Sequence, residues 1–365
     1  MDSLTVQSLM AADFIASSWP KVKNQAMEVL AGWTSEIDEL ILCGCGDSHH
    51  AALGLEMALA WWTGKRVRAV PAMTAARYLV PGLGSSSARS LVIGISASGE
   101  VARTREAVEI GVAVGARTLA ITGAIDNSLA QTVEASLTLT TPPVSPGPGL
   151  LSYLASILMG LAVAATLASA SHRQELERCI EDTPTILKDW CEEQMEAGKQ
   201  FAEDTADSVV VYLGSGPGYG SALFAAAKLI EAAGIQTWGQ DVEEWTHLEY
   251  FCEPADMPTW LLSSGGRSTS REQEVLEAAR AIGRRVIVSS WPGGDGWSPQ
   301  AREALAPLGL WAGPAAYASR RAEMMGEQPF RGFGGGRNFI EGGGVSRIRS
   351  SARVSSAEVL TLWQG

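Results

Sequence analysis

The chain contains one structural unit twice, and this repeat constrains the fold more than any other feature of the sequence. Each copy is an apolar run, a Gly-x-Gly turn and an alanine-rich stretch with apolar residues at helical spacing. The copies read LILCGCGDSHHAALGLEMALAWW and VVVYLGSGPGYGSALFAAAKLIEAAG, so Gly44 and Gly46 align with Gly214 and Gly216. A buried strand followed directly by a helix is typical of a parallel sheet, because a helix can cross over to the next parallel strand.

A second unit repeats in the same order. The run LVIGISASG is matched by TWLLSSGG, which places Ser96 and Gly99 opposite Ser263 and Gly266. Each run is followed by a helical pattern and another strand, GARTLAIT in the first half and GRRVIVSS in the second. This alternation predicts an α/β fold of two tandem, doubly wound parallel sheets of the flavodoxin-like type. Each sheet has helices on both faces and ligand loops at the carboxyl ends of its strands.

These patterns divide the chain into five segments. They are an N-terminal helical segment (1–38), a first sheet domain (39–172), a charged helical connector (173–206), a second sheet domain (207–325) and a C-terminal tail (326–365). The tail contains two Gly-Gly-Gly runs and four arginines, which are Arg331, Arg337, Arg347 and Arg349. This composition is typical of a disordered, solubilising tail. The alternative is that the tail folds over a site, where an arginine binds an anionic group of the substrate.

The stretch ISASGEVART, residues 95–104, predicts an anion site. It follows a β-rich run and precedes a helix, so the first backbone N–H groups of that helix lack intrahelical acceptors. The hydroxyls of Ser96 and Ser98 add donors that can turn toward phosphate oxygens. The alternative interpretation is that a serine only caps the helix, because serine is a favoured N-cap residue.

The Gly-x-Gly turns do not predict a dinucleotide site. The first reads GCGDSHHA rather than Gly-x-Gly-x-x-Gly. No acidic residue stands about twenty positions further on to hold a ribose. The small residues Gly46 and Ser48 instead allow a substrate to approach the backbone closely.

Composition argues against several classes of protein. A formal net charge of −12 does not suit a surface for nucleic acid. The five cysteines form no Cys-x-x-Cys pair and the four histidines show no metal-ligand spacing, so we expect a reduced, cytoplasmic protein without a metal. The stretch from Leu150 to Ala170 is long enough to cross a bilayer, but it is rich in alanine and serine. We therefore expect it to form a buried helix, and we expect no membrane association.

Three stretches, GCGDSHHAA, ISASGE and LAITGAIDNSLA, resemble the sugar isomerase (SIS) domain family. The tandem arrangement is similar to the isomerase half of glutamine:fructose-6-phosphate aminotransferase. The resemblance implies a phosphosugar substrate and no cofactor. It also implies that the substrate and its phosphate are bound at Gly46, Ser48, Ser96, Ala97 and Ser98. Ala97 stands where that aminotransferase has glutamine and Val101 where it has threonine, so the loop offers fewer side-chain donors.

The second half carries the positions that match the catalytic groups of the family. The resemblance implies that Glu231 moves a proton between C1 and C2 of an open-chain sugar and that His247 assists ring opening. Such a transfer needs one base within reach of two neighbouring carbons, and a dry pocket can raise the pKa of a carboxyl toward the working pH. Without the resemblance, the alternative interpretation is that Glu231 is a solvent-facing helix residue and that His247 is a packed, hydrogen-bonded loop residue. Glu244 also matches the family motif, and it either orients His247, binds sugar hydroxyls or caps a helix.

The same resemblance narrows the reaction. The aminotransferase uses a lysine near its C-terminus and an N-terminal cysteine nucleophile, whereas this sequence begins at MDSL and has no lysine after Lys228, so glutamine-dependent amination is not expected. A Glu and His pair without that lysine resembles fructosamine-6-phosphate deglycases and amino-sugar-phosphate deaminases. The alternatives are aldose–ketose isomerisation of a phosphosugar and a non-catalytic phosphosugar sensor.

The alanine-rich helices predict the oligomeric state. They offer more apolar helical surface than two modest cores need. In the aminotransferase that this chain resembles, the catalytic histidine reaches in from the neighbouring subunit. The sequence therefore predicts a homodimer with sites at its interface.

Overall fold

The structure, a computed structural model, describes residues 1–205, 209–326 and 352–364. The four arginines of the predicted tail, Arg331, Arg337, Arg347 and Arg349, lie outside the described residues.

Nine strands in the described residues form two sheets. The first sheet contains β1 (Glu39–Gly44), β2 (Arg66–Pro71), β3 (Ser90–Ser96), β4 (Arg117–Thr122) and β5 (Ala135–Thr138). The second contains β6 (Val211–Gly214), β7 (Trp238–Asp241), β8 (Thr259–Ser263) and β9 (Val286–Ser290). The strand orders are β2-β1-β3-β4-β5 and β7-β6-β8-β9, and every pair is parallel. The predicted pair of doubly wound parallel sheets is thus confirmed.

Helices connect and cover the strands. They are α1 (Ser3–Val29), α2 (Asp47–Thr63), α3 (Ala72–Thr74), α4 (Ala102–Ala113), α5 (Leu151–Leu167), α6 (Ala170–Asp204), α7 (Pro217–Ala233), α8 (Val242–His247), α9 (Thr269–Ala281), α10 (Pro299–Leu305), α11 (Ala312–Met324) and α12 (Ser356–Gln364). A π-helical turn covers Ala75–Leu79, and 3₁₀ turns cover Val80–Gly82, Gly84–Arg89, Glu249–Phe251 and Ala306–Leu308. The central strands β1 and β3 are buried along their whole length, as expected for a sheet with both faces covered.

The chain forms two compact units, each assembled from separate stretches of sequence. The first unit contains the first sheet, with Ala16–Pro142, Ser152–Arg178 and the described C-terminal residues. The second unit contains the second sheet, with Met1–Ile15, Pro143–Leu151 and the described residues from Cys179 onward to 326. The N-terminal residues therefore belong to the unit of the second sheet, and the described C-terminal residues belong to the unit of the first sheet.

The sequence repeat is also a repeat of backbone conformation. Helices α2 and α7 both contain 17 residues and follow directly on Gly46 and Gly216. These two glycines have φ of 56° and 54°, a region that residues with a side chain rarely adopt. The Gly-x-Gly turns thus serve the same purpose in both sheets, which is to turn a strand sharply into a helix.

Helix α5 lies in the stretch that is long enough to cross a bilayer and that the sequence predicts to be a buried helix. Its residues are almost all buried within the protein, and Leu154, Leu158 and Ala162 are 0% exposed. Among the residues that the structure describes, no helix combines the length and apolar composition needed to cross a membrane.

The connector helix α6 is amphipathic. Leu176, Cys179, Ile180 and Leu187 are fully buried at helical spacing, while the charged residues between them are largely exposed. The C-terminal helix α12 completes the core of the first unit, where Val359 belongs to the same cluster as Ile41 and Val92.

Candidate functional site

The order of the first sheet creates a crevice at the carboxyl ends of β1 and β3. From β1 the chain crosses to β2 on one side, and from β3 it crosses to β4 on the other. The loops after β1 and β3 therefore separate at a topological switch point, the usual ligand site of such sheets. Because Cys43 pairs with Gly94 in the sheet, Gly46 and Ser48 are brought next to the loop that begins at Ser96.

The loop after β3 leads into α4 without a side-chain cap. The N-cap residue of α4 is Val101, and no side chain accepts a hydrogen bond there. Ser96 Oγ instead accepts from Gly99 N at 3.1 Å, and Ser98 Oγ accepts from Glu100 N at 3.3 Å. Neither serine is the helix cap, so the alternative interpretation of this loop is wrong. Ala97 and Ser98 are exposed at the crevice, whereas Ser96 is buried.

Glu100 does not place its charge in the crevice. Its carboxylate accepts hydrogen bonds from Ser128 N at 2.9 Å and Ser128 Oγ at 2.7 Å. These bonds lower the pKa of Glu100, so it stays ionised and tied to the loop after β4. This contact holds the loops after β3 and β4 together.

Gly99 is the position on which the shape of this loop depends most. Its φ is 69°, and a Cβ atom there would lie 2.0 Å from Asn127 Cγ. Asn127 cannot move aside easily, because it donates to Thr122 Oγ1 and Ala124 O and accepts from Ala130 N. The loop after β3 therefore requires glycine at this position for both backbone and steric reasons.

We expect Gly99→Ala to destabilise the protein by about 2–4 kcal/mol, because backbone strain and a steric clash add together. The matched control is Gly115→Ala, since Gly115 has a φ of 80° but open space where a Cβ would lie. This control should cost only about 1 kcal/mol, from backbone strain. Thermal or urea denaturation measures both, and equal losses in the two variants would show that the Asn127 contact is unimportant.

A cavity of about 240 Å³ lies on the other side of the loop after β3. Its walls come from the ends of β3, β4 and β5 and from the first turns of α5. The lining residues are Ala97, Thr122, Gly123, Leu139, Thr140, Thr141, Ser152, Ala155, Ser156 and Met159. Five of the ten carry a hydroxyl group and none carries a charge. All of them belong to the first unit.

The equivalent loop of the second sheet is occupied by carboxylates of the chain itself. Ser263 Oγ donates to Glu272 Oε2 at 2.5 Å, and Arg267 N donates to Glu303 Oε1 at 3.1 Å. Glu303 also fills the space beside Gly266, where a Cβ would lie 2.1 Å from its Cδ. Two buried carboxylates would repel a phosphate. The second loop is therefore closed to an anion, whereas in the loop after β3 Ala97 and Ser98 stay exposed.

His49 lies in the first turn of α2, directly after Gly46. Burial lowers the pKa of its imidazole to about 4, and the neighbouring His50 contributes to the same shift. His49 is therefore neutral at physiological pH. It brings no positive charge to the crevice.

Glu231 lies near the end of α7 and forms an ion pair that sequence reasoning did not single out. Lys228 is 1% exposed, and its Nζ donates to Glu231 Oε2 at 2.5 Å. The Lys228 ammonium also lies 5.0 Å from the centre of the Phe224 ring. The Glu231 side chain is 30% exposed, so it can meet a ligand from its open side. The signal in the sequence was the three-residue spacing, which places both side chains on one helix face.

His247 ends the short helix α8, and its ring is 67% exposed. The carboxylate nearest to it is Glu243, with Oε1 at 3.4 Å from Nε2, rather than the predicted Glu244. The Arg271 guanidinium holds the pKa of Glu243 below its usual range. Glu243 is therefore a fixed negative charge that can hold the imidazole in place.

Glu244 is exposed on α8 and does not cap it. The cap is Asp241, which accepts a hydrogen bond from Glu243 N at 2.9 Å. The predicted residues thus fall into two groups. Gly46, Ser48, Ser96, Ala97 and Ser98 lie in the first unit, and Glu231, Glu244 and His247 lie in the second.

The sequence is similar to a known protein family and to individual proteins. Residues 35–169 match the SIS domain family. The glutamine–fructose-6-phosphate aminotransferase of Mycolicibacterium smegmatis is 32% identical over 219 residues, which cover 58% of this chain and 34% of that protein. The match thus spans only about a third of the length of this curated relative. The resemblance drawn from the loops of the sequence is confirmed.

Solved structures share the fold. The C-terminal domain of glucosamine-fructose-6-phosphate aminotransferase from Francisella tularensis has a TM-score of 0.74 at 15% identity, over 89% of this chain and 96% of that chain. Glucosamine-6-phosphate deaminase from Thermotoga maritima has a TM-score of 0.63 at 19% identity, over 87% of this chain and 97% of that chain. At this level of identity the likeness concerns the fold alone.

Proposed function

We propose that this chain, which contains a SIS domain at residues 35–169, is an enzyme that releases the amine of an amino-sugar phosphate by deglycation or deamination. The observation that carries the proposal is the contact between Lys228 Nζ and Glu231 Oε2, which presents an ionised carboxylate on a partly open helix face. Of the relatives named above, one is by name an aminotransferase of fructose 6-phosphate and the other a deaminase of glucosamine 6-phosphate, and this supports a hexose phosphate as the substrate and a reaction at an amino group.

The loop after β3 supplies the phosphate site in this proposal. The backbone amides at the start of α4, which no side chain caps, and the exposed hydroxyl of Ser98 bind the phosphate oxygens, as helix N-termini and hydroxyls do elsewhere. Gly46 and Ser48, across the crevice, leave room for the sugar chain next to the backbone. The carboxylates in the equivalent loop of the second sheet argue against a second phosphate there.

Glu231 supplies the proton transfer in this proposal. Glu231 takes a proton from one of the two carbons, C1 or C2, and returns it to the other, which converts the amino sugar into an imine. Water then adds to the imine carbon, and the carbon–nitrogen bond breaks to release the amine and a sugar phosphate. Lys228 Nζ donates to Glu231 Oε2, which engages this nitrogen with the proposed base, and in this proposal the nitrogen of the reaction comes from the substrate.

His247 assists ring opening in this mechanism by moving a proton between the ring oxygen and the C1 or C2 hydroxyl. Its 67% exposure leaves it open to a group outside its own helix. Leu248 and Phe251 beside it are 58% and 76% exposed, an apolar surface that a second copy of the chain would cover. We therefore propose a homodimer in which His247 of one subunit completes the site of the other.

One experiment tests the reaction class. The chain is incubated with glucose 6-phosphate, fructose 6-phosphate, glucosamine 6-phosphate and N-substituted fructosamine 6-phosphates, and the products are followed by NMR and by an amine assay. We expect amine release from an aminated phosphate. Interconversion of the two plain hexose phosphates alone would make the protein an aldose–ketose isomerase, and binding without any turnover would make it a sensor.

The phosphate site has its own test. We expect Ser98→Ala to weaken binding of a sugar phosphate by about 1–3 kcal/mol, because a hydrogen bond to a charged group is lost. Ser96→Ala should cost as much or more, since Ser96 Oγ also accepts from Gly99 N. Ser263→Ala, at the equivalent position of the second sheet, is the matched control and should leave affinity unchanged. If calorimetry showed a free sugar binding as tightly as its phosphate, the loop would not be a phosphate site.

A further inference from the structure

The segment that carries His247 is short and depends on contacts outside itself. Helix α8 has six residues and leads into the 3₁₀ turn Glu249–Phe251. Phe251 N donates to Leu248 O at 3.2 Å, so the turn continues directly from the end of the helix. A helix of this length is not stable alone in water. The position of the His247 segment, which we define as residues 242–254, is therefore set by what holds it.

The first half of the His247 segment is held by burial. Val242 and Trp245 are 1% and 0% exposed and belong to one core cluster of the second unit. The Trp245 ring meets the Tyr250 ring edge to face, with their centroids 5.9 Å apart. The His247 ring itself is 67% exposed, so few contacts of its own fix it. Its position is thus that of the backbone that carries it.

The second half of the segment is held by a buried arginine that the mechanism above does not use. Arg284 lies between α9 and β9 and is 5% exposed. Its Nη1 donates to Pro254 O at 2.8 Å, and its Nη2 donates to Glu249 O and Cys252 O, both at 2.8 Å. One planar guanidinium thus fixes three backbone carbonyls that follow closely on His247.

Glu249, at the start of the turn, is held from a second side. Its Oε1 accepts hydrogen bonds from Trp238 Nε1 at 3.1 Å and Gln240 Nε2 at 2.9 Å, which ties its side chain to β7. Its backbone carbonyl is tied to Arg284. Burying a guanidinium costs hydration, and a lysine could not replace it, because an ammonium lacks the planar fork of donors. The arrangement therefore resists movement of the residues directly after His247.

We propose that Arg284 is a positioning residue for His247. It holds the turn after α8 so that the exposed imidazole stays where it can move a proton in ring opening. A proton-transfer group must lie within hydrogen-bond reach of the substrate, and a displacement of about 1 Å can lower a rate by about a hundredfold. This inference rests on the proposed function, in which His247 acts on the substrate, and Arg284 acts on the substrate only through His247.

The first test follows the His247 ring by NMR and needs no substrate. The full chain is labelled with ¹³C-histidine; it contains four histidines, and His247→Ala identifies the signal of that ring. We expect Arg284→Met, which removes the three hydrogen bonds, to shift or broaden the His247 signal and to leave the other three unchanged. If Arg284→Met does not fold, Arg284→Lys, which keeps the charge but not the planar fork, replaces it. An unchanged His247 signal in the folded variant would overturn the inference.

The matched control is Arg285→Met, at the next position along the chain. Arg285 also donates to two backbone carbonyls, those of Asp256 and Asp204, both at 2.9 Å, but these lie outside the His247 segment. The control loses the same charge and comparable hydrogen bonds, and its four histidine signals should match those of the wild type. If Arg285→Met changed the His247 signal as much as Arg284→Met, the effect would be a general loss of stability.

The second test is a double-mutant cycle on kcat. We expect Arg284→Met to lower kcat by about ten- to a hundredfold while calorimetry shows unchanged affinity for the sugar phosphate. In a His247→Ala chain the same substitution should change the residual kcat by less than about twofold, because Arg284 acts through the ring that is already absent. If the two losses multiply instead, Arg284 acts by another route and the inference is wrong.

The two tests separate this inference from the proposed function. If His247→Ala keeps the full kcat, the proposed role of His247 is wrong, and the NMR experiment still decides whether Arg284 positions the ring. If His247→Ala is nearly inactive but Arg284→Met leaves both the signal and kcat unchanged, only the role of Arg284 is wrong.

Discussion

Glu231→Gln is expected to lower kcat by about two to four orders of magnitude, the usual contribution of a positioned general base. Glutamine keeps the size of the side chain and can still accept a hydrogen bond from Lys228, but it cannot take a proton from carbon. Binding of the phosphosugar should therefore remain, since the proposed phosphate contacts are those of the loop after β3 and do not include Glu231. Steady-state kinetics with the best substrate of the screen gives kcat, and calorimetry gives affinity.

The matched control is Glu277→Gln, an exposed glutamate on α9 of the same unit. It removes the same charge at a comparable helix position and should leave kcat unchanged. Circular dichroism of both variants shows whether the fold survives. Wild-type turnover in a folded Glu231→Gln chain would contradict the mechanism, whatever the substrate is.

Mixing two inactive variants should restore activity if sites are shared between subunits. In a dimer of one Glu231→Gln chain and one His247→Ala chain, one site holds both intact residues and the other holds neither. Random mixing makes half of the dimers mixed, so about a quarter of all sites would be intact, with about a quarter of wild-type activity. This is a large gain over either variant alone, which is expected to be nearly inactive.

The experiment needs proof that mixed dimers form, which two different affinity tags provide. Each variant refolded with itself gives the background. A monomeric mass in light scattering, or no recovery in a sample shown to contain mixed dimers, would place Glu231 and His247 in one chain's site. The exposed His247 ring and the exposed apolar residues beside it would then need another explanation.

The candidate site was only partly predictable from the sequence. The serines of the loop after β3 were identified, but whether they cap α4 was open until the structure placed Val101 at the cap. Capping depends on where the helix begins, and a shift of one or two residues changes the assignment. For Glu244 the sequence left three roles open, which were to orient His247, to bind sugar hydroxyls or to cap a helix. In the structure the ring contacts Glu243, four residues before it on the same helix face.

Other parts could not be predicted from any local pattern. The cavity beside Ala97 combines residues from β4, the segment after β5 and α5, which are far apart in the sequence. The carboxylate in the second loop, Glu303, comes from α10 and lies 36 residues beyond the amide that it accepts from. Both depend on the way that distant segments pack together.

The sequence by itself determined the elements of this protein and their repetition. Apolar runs, Gly-x-Gly turns and helical spacing act over a few residues, because backbone conformation and side-chain burial are set locally, and the same turn at Gly46 and Gly216 follows from them. Only the tertiary structure decided which of the two repeated loops stays open to an anion. That choice depends on Glu272 and Glu303 filling the second loop while Ala97 and Ser98 remain exposed in the first. It is a matter of long-range packing, where a buried carboxylate and a bound phosphate compete for the same place.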